Sequence, residues 1–404
     1  MLARVRWVFA ALFFAVLLAC GGSSTSAPVP AIHGQLVASG FNQPMLYLVN
    51  PASPTLAYVI ERPGHVRLLT NDVLQSADVL DISGTVVTDG ECGLLGMAFD
   101  PNFSSNHYVY LHYNAGSPIE TRIVRYSMSG DGLTMSNPFP IFSFQQPVTA
   151  NHKGGSINFG SDGMLYLMTG DGGSGNDPNN YAQTPTSFLG KILRIDVTSD
   201  DFAGDPEQNY HVPTDNPWFN TAGVNPEIWA FGLRNPFRWT FDSTSNGFLI
   251  ADVGQDAYEE VDYVPISGGG RNFGWSLREG LHGTGNPGPA FSTPFSDPFF
   301  EYGHGFGESI IGGFVYHGTA LDASLQGRYF FGDYITSKIV SIPFARSGGE
   351  AVSTSLGASM DHTGDINSSL NGTDISGPVS FNPDRNGEIM VVNLNNGTLV
   401  RLVP

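Results

Sequence analysis

One loose pattern recurs along the chain: a polar turn, a glycine, several apolar or aromatic residues, and then Asp or Asn. It occurs at Gly163–Asp171, Gly247–Asp252, Gly327–Asp333 and Gly387–Asn393, with a related run at Asn106–Tyr113. A turn followed by a short β-rich run predicts a strand. Successive copies are roughly 60 to 85 residues apart, so there is no short strict repeat. Strand-dense units of this size favour an all-β, six-bladed β-propeller over a sandwich, if each blade takes about 60 residues, and its loops would meet at one mouth of a central channel.

The composition agrees with many short strands. The chain of 404 residues contains 50 Gly and 27 Pro, and only 14% of its residues are charged. No long stretch has apolar residues at helical spacing. The net charge of -19 makes partners such as nucleic acid or anionic lipid headgroups unfavourable, because the chain lacks a basic footprint for either. The same charge is compatible with neutral substrates and with divalent cations.

The first 20 residues read as a lipoprotein signal peptide. Basic residues at Arg4 and Arg6 precede an apolar run from Trp7 to Ala19. A membrane-spanning helix is disfavoured because it needs about 20 apolar residues. Leu17–Cys20 resembles the bacterial lipobox, in which the cysteine is lipidated. We therefore expect an exported bacterial lipoprotein of the cell envelope, in contact with the membrane only through its lipid anchor, with plain secretion as the alternative.

The segment after the signal is rich in Ser, Gly and Pro. Residues 21–33 are predicted to be a flexible tether, and residues 34–404 to form the propeller. If Cys20 is lipidated, Cys92 has no cysteine with which to form a disulfide. A small buried side chain is then a better interpretation of Cys92 than a catalytic thiol.

The stretch from Asn151 to Asp177 combines an ionisable loop with a predicted strand. His152 precedes a glycine pair, and the apolar run Met164–Met168 ends at a second glycine-rich loop. His152 is the only group in its loop with an ordinary pKa near neutrality, which suits a base that takes a hydroxyl proton. The alternative is a histidine that is merely hydrogen-bonded within the loop.

Two further groups of residues suggest ligand binding. Arg234 and Asn235 stand side by side before a proline, and the planar guanidinium suits carboxylates and quinone oxygens. The alternative is that Arg234 pairs with a buried acid. Asp256, Glu259 and Glu260 offer the hard oxygen ligands that Ca²⁺ prefers, although a run of acids is more often a solvated face.

Several segments, in their order along the chain, resemble the glucose/sorbosone dehydrogenase family, the soluble quinoprotein sugar dehydrogenases built on a six-bladed propeller. The resemblance covers most of residues 34–404. The segments are Glu91–Phe103, Asn151–Asp177, Pro226–Arg238, Ala251–Asp262 with Asn272–Trp275, Gly312–Gly318 and Gly327–Asp333.

The resemblance implies an activity and a cofactor site. The matching histidine, His152, would be the base in the oxidation of an aldose sugar to its lactone, with hydride passing to pyrroloquinoline quinone. Arg234 and Asn235 would hold this cofactor. Glu91 stands where well-known members of the family have a glutamine that touches it. The electron acceptor that reoxidises the quinone is unknown.

The resemblance also implies two Ca²⁺ sites. The carbonyls of Gly254 and Gln255 would face an ion that bridges to the cofactor. Glu260 and the carbonyl of Phe273 would belong to a second, structural ion. A bridging Ca²⁺ would polarise the quinone carbonyl as a Lewis acid.

The chain also departs from the family pattern. Glucose-oxidising members carry a lysine and an arginine pair in the last two blades. Here Lys338 is the only basic residue around Tyr334–Lys338, and Asp374–Phe381 contains no arginine. A non-catalytic binding propeller, as in the Hedgehog-interacting branch of the family, is therefore the alternative function. A Ca²⁺-dependent lactone hydrolase that needs no quinone is a third hypothesis.

Overall fold

The computed structural model describes residues 29–404. The predicted signal peptide at 1–20 and most of the predicted tether at 21–33 lie outside these residues, and both stay predictions. Within the tether, Ile32 is already fully buried in an apolar cluster, and the first strand begins at His33. The folded body therefore starts slightly before the predicted boundary at residue 34, because Ile32 packs into the core.

The first two blades are four-stranded antiparallel sheets of consecutive strands. After β1 (His33–Ser39), the first blade comprises β2 (Pro44–Val49), β3 (Leu56–Glu61), β4 (His65–Thr70) and β5 (Val73–Asp81). The second comprises β6 (Leu94–Phe99), β7 (Tyr108–Ala115), β8 (Glu120–Met128) and β9 (Met135–Gln145). A short helix, α1 (Phe103–Asn106), lies between β6 and β7.

The third and fourth blades carry longer insertions. The third comprises β10 (Ile157–Phe159), β11 (Leu165–Thr169), β12 (Lys191–Ile195) and β13 (Ile228–Phe231). The fourth begins with β14 (Pro236–Asp242), β15 (Gly247–Asp252) and β16 (Tyr258–Pro265). Next come β17 (Arg271–Asn272), which pairs in parallel with β13, and a hairpin of β18 (Arg278–Glu279) and β19 (His282–Gly283). Strand β20 (Phe300–Gly303) pairs with β16 and completes the fourth blade.

The fifth blade comprises β21 (Ile310–Val315), β22 (Arg328–Asp333), β23 (Lys338–Pro343) and β26 (Met360–Asp361). A separate hairpin of β24 (Arg346–Ser347) and β25 (Glu350–Ala351) lies between β23 and β26 in the sequence. Helix α2 (Thr363–Ser369) leads to β27 (Pro378–Pro383), β28 (Ile389–Asn393) and β29 (Thr398–Val403) of the sixth blade. Single 3-10 turns lie at Tyr181–Gln183, Ala323–Leu325 and Leu356–Ala358. Within residues 29–404 no helix is long and apolar enough to span a bilayer.

The two ends of the described chain close the ring. Strand β1 pairs antiparallel with β29, with His33 opposite Val403 and Ser39 opposite Thr398, and so forms the outer strand of the sixth blade. The first strands of the blades (β2, β6, β10, β14, β21 and β27) contact their neighbours around a central channel. The prediction of an all-β, six-bladed β-propeller is therefore confirmed.

The recurring sequence pattern marks one position in the blade. The repeated runs form β11, β15, β22 and β28, and the related run forms β7; each is the second strand of its blade. Strands β11 and β15 are buried along their whole length, because each blade packs between two neighbours. A strand buried on both faces is continuously apolar instead of alternating, and this makes the runs visible in the sequence.

Antiparallel topology decides which loops meet. In each blade, the connection that enters the first strand and the turn between the second and third strands lie at the same end of the sheet. These connections include the stretches around His152 and Arg234, and the turn that follows β15. The ring therefore gathers segments that are far apart in sequence at one mouth of the channel.

A buried arginine crosses the channel below this mouth. Arg238 of β14 donates to the carbonyls of Val379 (3.1 Å), Leu95 (2.9 Å) and Met45 (2.9 Å) and to the hydroxyl of Ser156 (3.2 Å). Its partners belong to four other blades. Burial lowers the pKa of Arg238 to about 9, so the guanidinium is charged at neutral pH. This side chain ties five blades together.

Cys92 is a free, fully buried cysteine. Burial raises the pKa of its thiol above the ordinary value, which favours the uncharged and unreactive form. The side chain therefore fills space in the core, as expected from the sequence.

Candidate active site

A cavity of about 450 Å³ opens at the mouth of the channel, and all six blades contribute to its wall. It brings together six of the eight predicted site residues and leaves out Glu260 and Phe273. The lining residues are Met45, Arg62, Gly90, Glu91, His152, Arg234, Asn235, Phe237, Val253, Gly254, Gln255, Glu308, Ser309, Ile311, Tyr334, Ile335, Val379 and Leu394.

His152 is held rigidly at the cavity wall. Its backbone has a φ of 55°, an unusual conformation for a residue other than glycine. The close approach of Gly170 helps to fix it, because a Cβ atom at Gly170 would lie 2.2 Å from the carbonyl oxygen of His152. The imidazole Nδ1 is 2.7 Å from a carboxylate oxygen of Asp171, and His152 is only 4% exposed. The ring therefore has one well-defined orientation.

Asp171 is a candidate site residue whose role was not predicted from the sequence. Its second carboxylate oxygen accepts a hydrogen bond of 2.7 Å from the indole Nε1 of Trp275, and its first also accepts one from the backbone N–H of Gly173. The carboxylate is fully enclosed. The available signal was its position as the acid that ends the repeated run Gly163–Asp171. This arrangement orients the imidazole as the carboxylate of a catalytic histidine pair does.

The Glu91 carboxylate links the predicted base, His152, to the predicted cofactor ligand Asn235. One carboxylate oxygen accepts the backbone N–H of His152 (2.8 Å) and the side-chain amide of Asn235 (3.1 Å). Glu91 thus joins the backbone of His152 to the side chain of Asn235. The side-chain oxygen of Asn235 in turn accepts a hydrogen bond of 3.1 Å from the backbone N–H of Gly154.

Arg234 presents its guanidinium to the cavity without an acidic partner among residues 29–404. The Nη1 atom donates to the carbonyl of Val253 (2.8 Å), and the guanidinium carbon lies 5.5 Å from the ring centroid of Trp275. Its Nε is buried with no hydrogen-bond partner. The buried acid Asp252 binds the backbone N–H groups of Arg234 and Asn235 at 2.8 and 2.6 Å, not the guanidinium. Arg234 is therefore available for a ligand.

In several blades, an acidic or amide side chain at the end of the second strand forms a hydrogen bond with the segment that leads into the first strand of the same blade. Asp252 does so for Arg234, and Asp171 for His152. The equivalent contacts in three other blades are the N–H of Asn42 to Glu61 (2.9 Å), of Gly93 to Asn114 (3.3 Å) and of Ser309 to Asp333 (2.9 Å). The repeated Asp or Asn therefore builds the rim of the cavity. Burial raises the pKa of Asp252 to about 7.

Gly254 and Gln255 lie on the cavity wall, as the bridging-ion prediction requires. A Cβ at Gly254 would lie 1.7 Å from the carbonyl oxygen of Tyr258, so only glycine fits there. The carboxylate of Glu279 accepts four consecutive backbone N–H groups, from Gln255 to Tyr258. Within the described part of the chain, neither carbonyl of the predicted pair accepts a hydrogen bond. Both therefore remain candidate ligands for a hard cation.

Glu260 and Phe273 are buried outside the cavity, in the fourth blade and beside the third. Burial, together with Asp262 and Asp252, raises the pKa of Glu260 well above its ordinary value. Asp262 shares a face of β16 with Glu260, and neither oxygen of its buried carboxylate has a hydrogen-bond partner. Across residues 29–404, however, no group of three or more His, Cys, Asp or Glu side chains is arranged to hold a metal ion. A structural Ca²⁺ site therefore stays a prediction.

The last two blades contribute no basic side chain to the cavity. Their lining residues are Glu308, Ser309, Ile311, Tyr334, Ile335, Val379 and Leu394. Lys338 instead donates to the carbonyl of Phe306 (2.7 Å) and lies 3.7 Å from the centroid of that ring. The cavity therefore lacks basic side chains from the last two blades, as the sequence of these blades indicated.

Curated relatives include proteins of more than one kind. HIPL1 protein of Arabidopsis thaliana is 36% identical over 320 residues, which cover 65% of this chain and 45% of HIPL1. Hedgehog-interacting protein of Homo sapiens is 28% identical over 323 residues, which cover 74% of this chain and 42% of that protein. The chain therefore spans less than half the length of these relatives.

Solved structures share the fold. The apo form of the soluble aldose sugar dehydrogenase from Escherichia coli superposes with a TM-score of 0.73 at 20% identity, covering 93% of this chain and 100% of that chain. The PQQ-bound form of aldose sugar dehydrogenase from Streptomyces coelicolor gives 0.67 at 21% identity, covering 93% and 99%. At such identities the likeness establishes the propeller and not the activity.

A family model described as Glucose / Sorbosone dehydrogenase matches residues 42–372, which is most of the chain. The matched range contains all the segments from which the resemblance was drawn, and every predicted site residue. The chain is a member of the glucose/sorbosone dehydrogenase family.

Proposed function

We propose that this protein oxidises aldose sugars to lactones, with pyrroloquinoline quinone (PQQ) as the electron acceptor in the cavity. The observation that carries the proposal is the pairing of His152 with the enclosed carboxylate of Asp171 at the wall of a cavity that also holds an arginine without an acidic partner. The first feature suits proton removal, and the second suits an anionic cofactor.

His152 would act as the general base. When Nδ1–H donates to Asp171, Nε2 carries the lone pair and can accept a proton. The proton would come from the anomeric hydroxyl of the sugar, while the hydrogen on the same carbon leaves with two electrons. The sugar thus loses two hydrogens and becomes a lactone. Asp171 stabilises the imidazolium that forms, and Trp275 keeps that carboxylate in place.

The cavity suits a planar polycarboxylate. Arg234 offers a buried Nε without a partner, and Arg62, from the first blade, also lines the cavity. Apolar side chains such as Phe237, Ile311 and Leu394 can pack against the flat faces of a ring system. When bound, PQQ supplies a two-electron acceptor for the hydrogen that leaves the sugar. Carbonyls of Gly254 and Gln255 would hold a Ca²⁺ ion beside it.

Similar proteins support the proposal at the level of the family. The structure from Streptomyces coelicolor is described as PQQ-bound, and its fold matches nearly the whole of this chain. An external electron acceptor would reoxidise the quinone after each turnover. The sugar is a neutral small molecule, which agrees with the strongly acidic net charge of the chain.

A non-catalytic propeller that binds a partner protein is the second candidate. Two observations favour it: basic side chains are absent from the last two blades at the cavity, and Hedgehog-interacting protein is among the relatives. A binding propeller would not require the rigid pairing of His152 with Asp171 in the cavity. Lactone hydrolysis without quinone is a third candidate, which is tested separately by adding lactones to the protein in Ca²⁺ alone.

The test is titration of the purified protein with PQQ in Ca²⁺, followed by addition of aldoses and a dye acceptor. We expect the quinone spectrum to change on binding and again when sugar is added. His152→Ala should retain binding but lose sugar-dependent reduction. His211→Ala, which removes a half-exposed histidine paired with Asp201 away from the cavity, is the matched control and should behave like the wild type.

Failure of the wild-type protein to bind micromolar PQQ would eliminate the dehydrogenase hypothesis and favour the binding propeller. Lactone breakdown without added quinone would instead point to a hydrolase. Retention of sugar-dependent reduction by His152→Ala would leave the cofactor in place but would remove His152 as the base.

A further inference from the structure

Arg62 is a second arginine on the cavity wall, and it comes from the turn between β3 and β4 of the first blade. Among residues 29–404, neither Arg62 nor Arg234 forms an ion pair within 4.0 Å. The chain has 37 acidic and 18 basic residues, so basic side chains have many potential acidic partners. Glu91 and Glu308 also line this cavity, but neither lies within 4.0 Å of the two guanidinium groups, so both arginines keep their charge available for an anion.

The Arg62 side chain is fixed by its neighbours. Its Nε donates to the side-chain oxygen of Gln43 (2.8 Å), and its Nη1 donates to the carbonyl of Gly90. Its backbone is also held, by hydrogen bonds of 2.9 Å that link it to Gln43 and Leu94. Within the described residues, Nη2 has no hydrogen-bond partner. The guanidinium is thus positioned in advance, with donors left for a ligand.

Gly93 keeps the space that Arg62 needs. A Cβ atom at Gly93 would lie 2.3 Å from Cγ of Arg62, which is far closer than two carbon atoms can pack. This glycine belongs to the Glu91–Phe103 segment, and its φ is not in the left-handed region. Its role is therefore to make room for the arginine stem, not to permit a special backbone conformation.

We propose that Arg62 binds a carboxylate of the cofactor and, with Arg234, grips it from two sides of the cavity. This inference rests on the proposed function. It explains how a site without basic residues in the last two blades can hold a tricarboxylate: the positive charge comes from the first and fourth blades instead. A guanidinium is suited to this task because its planar fork donates two parallel hydrogen bonds to a carboxylate.

The experiment compares PQQ affinity, read from the quinone absorbance in Ca²⁺, between the wild type and variants at Arg62. Arg62→Gln should weaken binding by at least about tenfold, the loss typical for a charge-assisted hydrogen bond. Arg62→Lys keeps the charge but not the fork, so its affinity should fall between those of the wild type and Arg62→Gln.

Arg385→Gln is the matched control. Arg385 lies in the turn between β27 and β28, at the opposite end of the channel, and its substitution changes the net charge by the same amount. We expect an affinity within about twofold of the wild type, because exposed charges more than a Debye length away are screened. Equal thermal midpoints for the wild type and the Arg62 variants would show that the fold is intact.

The outcomes separate the two proposals. If the wild type binds PQQ and Arg62→Gln binds equally well, the role of Arg62 is wrong while the proposed function stands. If the wild type does not bind PQQ, both are overturned. If Arg385→Gln weakens binding as much as Arg62→Gln does, the effect is one of net charge and the direct contact is refuted.

Discussion

Replacing Arg238 with methionine should destabilise the propeller strongly, since one side chain links five blades. Its four hydrogen bonds of 2.9 to 3.2 Å have a charged donor, and each such bond contributes about 1.5–3 kcal/mol. Removing a buried guanidinium regains several kcal/mol of desolvation, but it leaves the carbonyls of Met45, Leu95 and Val379 without a donor. Each carbonyl left without a donor costs about 1–3 kcal/mol, and the regained desolvation offsets part of the sum, so we expect a net loss of about 3–5 kcal/mol in the free energy of unfolding.

The assay is urea denaturation followed by the fluorescence of the tryptophans, which include Trp239 next to the substitution. The midpoint should fall while the denaturant slope stays the same. Arg125→Met is the control, because Arg125 is partly exposed and stacks on the rings of Tyr108 and Phe139 at 4.2 and 4.5 Å. That change should cost less than about 1 kcal/mol. A loss below about 1 kcal/mol for Arg238→Met would refute the idea that this arginine ties the blades together.

Two further substitutions test the candidate site and the pH dependence of stability. Asp171→Asn should lower sugar turnover about 10²–10⁴-fold through loss of the imidazole tautomer, with PQQ affinity nearly unchanged; normal turnover in the dye assay would contradict this. Burial raises the pKa of Asp177 to about 6, so the folded protein keeps a proton that the unfolded chain releases near pH 4; the resulting stabilisation is complete below about pH 4 and is lost as the pH rises to 6. Asp177→Asn should therefore flatten the fall in unfolding free energy between pH 4 and 6, and an unchanged slope in urea melts would refute this.

Much of the fold could be predicted because its signal is local. The second strand of a blade is buried on both faces, so it appears as a continuous apolar run between a glycine turn and an acid, as in Gly247–Asp252. Several other strands are partly exposed, such as Val73–Asp81, or short, such as Ile157–Phe159, and have no equally clear pattern. Five of the six second strands were therefore found from the sequence, while the strands that complete each blade were not.

The candidate site was predicted in part, and the omissions have a physical explanation. His152 and Arg234 lie in glycine- and proline-rich segments, and the type of each side chain suggests its role without knowledge of its neighbours in space. Asp171 acquires its role only when the turn after β11 reaches the loop before β10, and Trp275 only when it meets Asp171. Hydrogen bonds between distant segments leave no local pattern in the sequence.

The amino-acid sequence alone determined the architecture, because backbone periodicity and turn chemistry act over a few neighbouring residues. It also supplied the resemblance that identified the cavity residues. Only the tertiary structure decided how charge is arranged in the cavity: Glu91 is occupied by His152 and Asn235, Lys338 lies elsewhere, and Arg62 has no acidic partner among the described residues. Electrostatic pairing depends on distances across the ring, and these exist only once all six blades have closed.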